Sequence, residues 1–174
     1  MNKDYASILS TMMREDQQLI LSIDENPKLF QRQNKKHIAQ LRQILEEIKE
    51  PRISILGYNG ALAAWLIVQH ANYDVSFQRK YLNITKKLYR NNPDEVYKEG
   101  IAYLEDRISV QDIGKQLYGT QFKDSLEFDN SLEPYPILNI DRLAERRKKM
   151  GLSNIEEYIK ELEQVYGKKV IYSF

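Results

Sequence analysis

Residues Ala61 to His70 read Ala-Leu-Ala-Ala-Trp-Leu-Ile-Val-Gln-His. Before its last two residues this stretch is apolar on every face of a helix, which is typical of a helix surrounded by other elements. The apolar run spans eight residues, Ala61 to Val68, whereas a helix that crosses a bilayer needs ~20. We therefore expect a central, buried helix in a soluble protein that has no membrane partner.

Apolar residues at helical spacing continue on both sides of this helix. Upstream they predict a first helix over about 3–23, with Pro27 in the turn after it, and a second helix that Pro51 ends. Residues 53–60, which contain two glycines, are predicted to connect the second helix to the central one. Downstream, Asp74 is predicted to cap the next helix through its side chain.

The helical pattern is interrupted over residues 114–140, where glycine, proline and aromatic residues replace the helical period. Before the interruption, Pro93 is predicted to open one more helix. Within 114–140, residues 116–122 are expected to form an extended strand or a structured loop, and residues 135–138 are expected to pair with them. The predicted fold class is therefore mainly α, an irregular helical bundle with a small β-hairpin or structured-loop insertion near 114–140.

Helices are expected to resume after the insertion. One is predicted over 141–150, with Gly151 as its C-terminal stop. The sequence Ser153-Asn154-Ile155-Glu156 is a capping box for the last helix. Residues 170–174 are expected to form a final strand or to pack against the rest.

A chain of 174 residues fits one domain, and we expect a single domain over 1–174. Within it we distinguish an N-terminal helical pair (1–50), a core that carries the polar motifs (51–166) and a C-terminal tail (167–174). No composition break or low-complexity linker separates these parts.

Composition excludes several functional classes. The formal net charge is only +1, so nucleic acid is not an expected partner, because affinity for it comes largely from basic residues. The absence of cysteine removes disulfides, thiolate nucleophiles and cysteine-based zinc sites. With two histidines and no paired metal-ligand spacing, we expect no metal and no cofactor. The N-terminal residues do not resemble a signal peptide, so we expect a cytoplasmic protein.

His70 is the first candidate for chemistry. It lies on the same helical stripe as Ala63, Leu66 and Ile67, so its imidazole is expected to point inward. Imidazole titrates near neutral pH and serves as a base or an acid. We predict that His70 is catalytic and that the neighbouring Gln69 supplies a hydrogen bond. The alternative is a core histidine whose nitrogen atoms are satisfied by buried groups.

A second cluster, Tyr103-Leu104-Glu105-Asp106-Arg107, places Tyr103, Asp106 and Arg107 on neighbouring positions of one helix face. Asp106 is predicted to orient His70, as the acid of a catalytic triad does; a glutamine is the other candidate for this role. Arg107 is predicted to bind a carboxylate or a phosphate. The alternative is an Asp–Arg pair that joins two helices.

Two further segments carry polar side chains. Gln116, Tyr118, Thr120 and Gln121 surround a glycine that permits close backbone approach, which suits the wall of a polar pocket. The alternative is the edge of a β-hairpin with ordinary polar residues. Arg146 and Arg147 belong to a basic run at a helix C-terminus and are predicted to bind an anionic group, whereas a solvated face is the alternative.

Taken together, these segments resemble a bacterial family catalogued as domain of unknown function 6624. The motifs that carry the resemblance are Ala64-Trp65-Leu66-Ile67-Val68-Gln69-His70-Ala71, Gln78, Ala102-Tyr103-Leu104 with Asp106-Arg107, Gln116-Leu117-Tyr118-Gly119-Thr120-Gln121, and Arg146-Arg147 with Gly151-Leu152. The resemblance implies no activity. It implies that these polar segments recur as a set, which favours their convergence on one site.

Two functions remain open from the sequence. The first is an enzyme, or an enzyme-like binder, that takes a small polar or anionic molecule or a peptide end and uses general acid–base chemistry at His70. The second is a protein-interaction module of the immunity or adaptor type, with a protein partner, in which the polar motifs form a buried structural network.

Overall fold

Seven helices and three short strands make up the part of the chain that this computed structural model describes, residues 4–21 and 25–172. The helices are α1 (Tyr5–Ile20), α2 (Pro27–Ile48), α3 (Ile53–Gln69), α4 (Val75–Asn91), α5 (Lys98–Ile113), α6 (Leu143–Lys149) and α7 (Ile155–Tyr166). The strands are β1 (Phe122–Asp124), β2 (Ser131–Pro134) and β3 (Lys169–Val170). The predicted class, mainly α with a small β insertion, is confirmed. None of the helices in these two ranges combines the length and the apolar character that crossing a membrane requires.

The chain divides into two compact units, Met1–Gly100 and Ile101–Phe174. Both units contribute residues to α5. Their folding as a single domain stays a prediction. Residues 3, 22 and 23 of the first predicted helix and residues 173 and 174 of the predicted tail lie outside the described residues.

In the first unit, α3 packs against α1, α2 and α4. Ala63, Ala64, Ile67 and Val68 of α3 are completely buried, as the apolar pattern predicts. Trp65 and Leu66 are half-buried instead. The helix is therefore central to this unit, with one of its faces less covered than its sequence indicates.

Two predictions about the first unit are wrong. Pro27 does not lie in a turn but is the first residue of α2, where its missing N–H costs nothing and its fixed φ suits a helix. Residues 53–60 are not a simple connector, because α3 already begins at Ile53. The helix is broken only at Gly57, whose φ of 67° and ψ of 165° are non-helical and are accessible to glycine at little cost.

The ends of α4 and α5 show how local sequence sets the boundaries. The Asp74 side chain accepts a hydrogen bond from the Phe77 backbone N–H and caps α4, as predicted. Pro93 opens only a three-residue 3-10 turn, Pro93–Glu95, and the α-helix predicted there begins later, at Lys98.

The second unit contains a three-stranded sheet in the order β1-β2-β3. β1 and β2 are antiparallel, with Lys123 opposite Glu133, and β2 and β3 are parallel. Upstream of β1 the chain forms a loop, and Gln116 makes an isolated bridge to Ile137. The expected pairing of 116–122 with 135–138 is present as this bridge and as a backbone hydrogen bond from the Tyr135 N–H to the Gln121 carbonyl.

Helices α6 and α7 flank the turn at Gly151, which has a φ of 75° and follows α6 as predicted. The cap of α7 is Asn154, whose side chain accepts from the Glu157 N–H. The prediction of a capping box that starts at Ser153 is wrong by one residue. The apolar core of this unit joins the sheet to both helices through Leu132, Leu143, Ile155, Ile159 and Val170.

Candidate functional site

His70 contacts a buried carboxylate of α1. Its Nδ1 atom lies 2.6 Å from Oδ2 of Asp16, and the side chains are 17% and 1% exposed, respectively. An ionised carboxylate only accepts hydrogen bonds, so Nδ1 carries the proton of this contact, and in the neutral form of the ring the lone pair is on Nε2. Within the described ranges Nε2 has no hydrogen-bond partner. This arrangement prepares Nε2 to accept a proton.

The prediction that Asp106 or a glutamine orients His70 is corrected by this contact, because Asp16 occupies Nδ1. Asp16 escaped the sequence analysis, although a signal for it existed. Leu9, Met12 and Asp16 are the buried residues of α1, and their spacing of three and four residues puts an acid on the apolar stripe.

A pocket of about 320 Å³ opens at His70. The first two turns of α2 form one side of it, and the segment that follows α3 forms the other. Its lining residues are Pro27, Lys28, Phe30, Gln31, Asn34, His70, Asn72 and Tyr73. The Phe30 ring lies 6.0 Å from the His70 ring, measured between centroids. Burial, reinforced by the charge of Asp74, raises the pKa of Tyr73 to about 12, so Tyr73 keeps its phenolic proton at neutral pH.

Asn34 connects the pocket to the buried acid. Its Nδ2 donates to Oδ1 of Asp16 at 3.5 Å and to the backbone carbonyl of Ile67 at 3.4 Å. Its Oδ1 is buried without a hydrogen-bond partner in the described part of the chain, as are His37 Nδ1 and Gln78 Oε1. Of these three residues, Asn34 alone lines the His70 pocket.

The other histidine, His37, contacts the acid that precedes Asp16. Its Nε2 lies 3.0 Å from Oε2 of Glu15 and 3.1 Å from Nε2 of Gln33. The hydrogen bond from His37 is the largest influence on Glu15 and lowers its pKa, against the opposing effect of burial. The His37 side chain is only 3% exposed, so its imidazole is closed to a ligand.

Asp106 holds the loop that follows α5. Its carboxylate accepts hydrogen bonds from the backbone N–H groups of Leu117 (2.6 Å), Tyr118 (3.0 Å) and Thr120 (3.1 Å), and from the Thr120 hydroxyl (3.0 Å). Burial raises the pKa of Asp106 more than these four bonds lower it. The carboxylate predicted to be catalytic therefore organises the backbone of residues 117–120.

Gln116 and Gln121 close the same loop on itself. The Gln116 side chain, which is completely buried, donates to the backbone carbonyls of Gln121 and Tyr135 and accepts from the Gln121 N–H. The Gln121 side chain donates to the Thr120 hydroxyl. The predicted pocket wall is thus a loop whose polar side chains bind its own backbone.

Two arginines of α6 satisfy the carbonyl groups of this loop. Arg146 donates to the backbone oxygens of Leu117, Leu138 and Asn139. Arg147, which is 1% exposed, donates to the backbone oxygens of Tyr118 and Ser153. Burial lowers the pKa of Arg147. Both guanidinium groups therefore bind backbone carbonyls of the protein, whereas we predicted that they bind an anionic group of a ligand.

Gln69, Arg107 and Tyr118 complete the predicted set. Gln69 is buried, and Arg107 is half-buried, with its pKa lowered by burial. The Tyr118 hydroxyl donates to Glu105 at 3.4 Å, and burial raises its pKa. Their roles as ligand-binding residues stay predictions. The described residues contain no group of three or more acidic or histidine side chains placed to hold a metal ion.

Comparison with known proteins gives a family but no activity. No curated protein and no solved structure matches the chain at a significant level. The model of a family of unknown function, DUF6624, matches residues 25–171. This range includes α2 to α7, with every polar segment described above except Asp16 and Glu15. The chain therefore belongs to the family of unknown function DUF6624.

Proposed function

We propose that this protein binds a small polar or anionic molecule in the His70 pocket and acts on it by general acid–base chemistry. The observation that carries the proposal is the 2.6 Å contact between Asp16 and Nδ1 of His70, with Nε2 at a pocket and unpaired among the described residues. A buried acid on one ring nitrogen and a reactant on the other is the arrangement in which histidine serves as a general base.

In the proposed reaction, Nε2 of His70 removes a proton from a water molecule or a hydroxyl group as its oxygen attacks the ligand. The proton then resides on Nε2, and the Asp16 carboxylate stabilises the resulting imidazolium. The same proton passes from Nε2 to the leaving group, which restores the neutral ring. No covalent intermediate with the protein is required.

The pocket supports a small ligand. A volume of about 320 Å³ lies at the lower end of the range for ligand pockets, roughly 300–1,000 Å³. Pro27 and Phe30 offer apolar surface, and Lys28 contributes a positive charge at the first turn of α2. A compact anionic molecule or the end of a peptide meets these requirements.

The second unit supports the alternative, a protein-interaction module. Asp106, Gln116, Arg146 and Arg147 all bond to backbone groups of one loop, which is what a structural network requires. In this alternative the His70–Asp16 contact is also structural, and the protein has a protein partner and no turnover. The experiment below distinguishes the two functions.

The first measurement is the hydrolysis of p-nitrophenyl acetate by the full-length protein. The acetyl group is transferred to water, and acetate and p-nitrophenolate are released, so absorbance reports the rate. We expect His70→Gln to lower the rate at least tenfold and Asp16→Asn to lower it several-fold. His37→Gln is the matched control, because the chain has only two histidines and His37 is closed to solvent.

The second measurement is the tautomer of His70, read from long-range ¹H–¹⁵N correlations of the two imidazoles. We expect the proton on Nδ1 and a lone pair on Nε2 at neutral pH. An ester hydrolysis rate that is the same in wild type and His70→Gln would contradict the proposed function and favour the interaction module.

A further inference from the structure

The α2 residues that line the His70 pocket extend over about two turns of the helix, and this length constrains the ligand. Pro27, Gln31 and Asn34 all line it, and their spacing of four and three residues puts them on one face of α2. At a rise of ~1.5 Å per residue, Pro27 and Asn34 are about 10 Å apart along the helix axis. The Phe30 ring, 6.0 Å from the His70 ring, lies between these two ends.

The two ends differ in chemistry. At the first end, Lys28 forms no ion pair within the described residues, and the Asn26 side chain does not cap α2. The positive end of the helix dipole and the ammonium group therefore both favour an anion there. At the second end, Oδ1 of Asn34 is a buried acceptor to which no described residue donates, and such an atom favours a ligand that donates a hydrogen bond.

The orientation of the Asn34 amide follows from its other contacts. Nδ2 faces two acceptors, the Asp16 carboxylate and the Ile67 carbonyl. Exchanging the oxygen and nitrogen would set Oδ1 against both acceptors, which is unfavourable. The unpaired atom is therefore the carbonyl oxygen, and the missing partner is an N–H or O–H group.

We infer, on the basis of the proposed function, that the ligand is a molecule about as long as a dipeptide, ~7 Å when extended, with its anionic group bound by the long side chain of Lys28 and a hydrogen-bond donor at Asn34. Its middle then lies beside His70, whose Nε2 has no partner in residues 4–21 and 25–172. A zwitterionic dipeptide has a carboxylate at one end and an ammonium group at the other, and we commit to this class of ligand.

The test is a titration of the full-length protein with three probes, followed through the His70 ring signals in NMR spectra. Glycylglycine has both ends, succinate lacks the donor, and glycylglycinamide lacks the anion. We expect a saturable shift with glycylglycine and at least tenfold weaker binding of the other two. Equal affinities for the three probes, or no saturable shift with glycylglycine, would overturn the inference without the need for any variant.

Variants assign the two ends. Lys28→Gln is expected to weaken glycylglycine binding at least fivefold, whereas Lys36→Gln, an exposed lysine of the same helix, leaves it unchanged. Asn34→Leu is expected to weaken it similarly, with Gln40→Leu as the control. If Lys28→Gln and Lys36→Gln bind equally well, the assignment of the anionic end is wrong.

The ligand titration and the ester hydrolysis assay can fail independently of each other. Hydrolysis of p-nitrophenyl acetate that depends on His70, without a response to glycylglycine, overturns this inference and leaves the acid–base proposal standing. Selective glycylglycine binding by a protein that does not hydrolyse the ester supports the ligand class and contradicts the catalytic role.

Discussion

Consecutive acids on α1 contact the two histidines of the chain in different ways. Glu15 is 46% exposed and contacts the buried His37, whereas Asp16 is 1% exposed and contacts the partly exposed His70. In the proposed function the buried acid orients the accessible imidazole of His70, whereas the Glu15–His37 contact joins α1 to α2. The two pairs therefore differ in which member is buried.

The buried position of Asp16 determines how His70 variants affect stability. His70→Ala removes the 2.6 Å contact and leaves the carboxylate, within the described part of the chain, with the long Asn34 bond, so we expect a loss of ~1–3 kcal/mol. Adding Asp16→Asn removes the unpaired charge and should restore part of this loss. Urea unfolding of both single variants and the double variant measures the coupling. Strictly additive effects would show that the two side chains do not interact.

A second prediction concerns the acid sensitivity that Glu15 contributes. Because folding lowers the pKa of Glu15, chiefly through the His37 hydrogen bond, the ionised form stabilises the protein above the ordinary pKa range of a glutamate. This contribution is lost as the pH falls through the lowered value. We expect Glu15→Gln to flatten the acid side of the stability profile, measured by thermal melts from neutral to acidic pH.

The control for Glu15 is Glu46→Gln, at an exposed glutamate of α2. We expect this variant to keep the acid dependence of the wild type. A Glu15→Gln profile that runs parallel to that of wild type at every pH would contradict the role of the Glu15–His37 contact.

At the scale of the elements, the loop between α5 and β1 is held from both sides. Its N–H groups at Leu117, Tyr118 and Thr120 bind Asp106 of α5, and its carbonyls at Leu117 and Tyr118 bind α6. A loop without regular structure leaves its backbone groups unpaired, and buried groups of this kind need partners. The acid and the two arginines supply them, which explains why charged residues occupy this part of the unit.

The hydrogen bonds of Asp106 predict the effect of Asp106→Asn. The carboxamide keeps one acceptor oxygen and presents an NH₂ group to backbone donors, so at least one buried N–H loses its partner. We expect a loss of about 3 kcal/mol and faster hydrogen exchange of the Leu117, Tyr118 and Thr120 amides. Asp129→Asn, in the exposed turn between β1 and β2, is the control. Unchanged exchange rates at these three amides would exclude Asp106 as the organiser of the loop.

At the scale of the whole molecule, the sequence predicts the helices better than the site. Stripes such as Ile38, Leu41 and Leu45 identify α2, and these residues are buried. The start of the same helix at Pro27 is not predicted, because Leu29 and Phe30 are followed by polar residues from Gln31 to Lys36 and do not continue the apolar stripe. Helix boundaries depend on caps and contacts that periodicity does not record.

The candidate site is predicted from the sequence less completely than the helices are. His70 stands out from sequence alone because it ends an apolar helix. Its partner, Asp16, lies 54 positions away, and nothing local connects the two. Asp106 is the nearer acid in the motif set, but its bonds go to backbone N–H groups, and a sequence does not record which acceptor a folded loop will need.

The final prediction asks whether the two units unfold together. The Arg147 guanidinium, buried and bonded to the Tyr118 and Ser153 carbonyls, stabilises the second unit, so Arg147→Met leaves these carbonyls unpaired and should cost about 3 kcal/mol. Trp65, the sole tryptophan, lies in the first unit and reports its unfolding by fluorescence, while circular dichroism reports all helices. If the chain is a single domain, Arg147→Met shifts the midpoints of both signals to lower denaturant concentration by the same amount.

The control is Lys148→Met, at an exposed neighbour of Arg147, which should shift neither midpoint. A fluorescence midpoint of Arg147→Met that stays at the wild-type value while the circular dichroism transition moves would contradict the single domain and show that the second unit unfolds on its own.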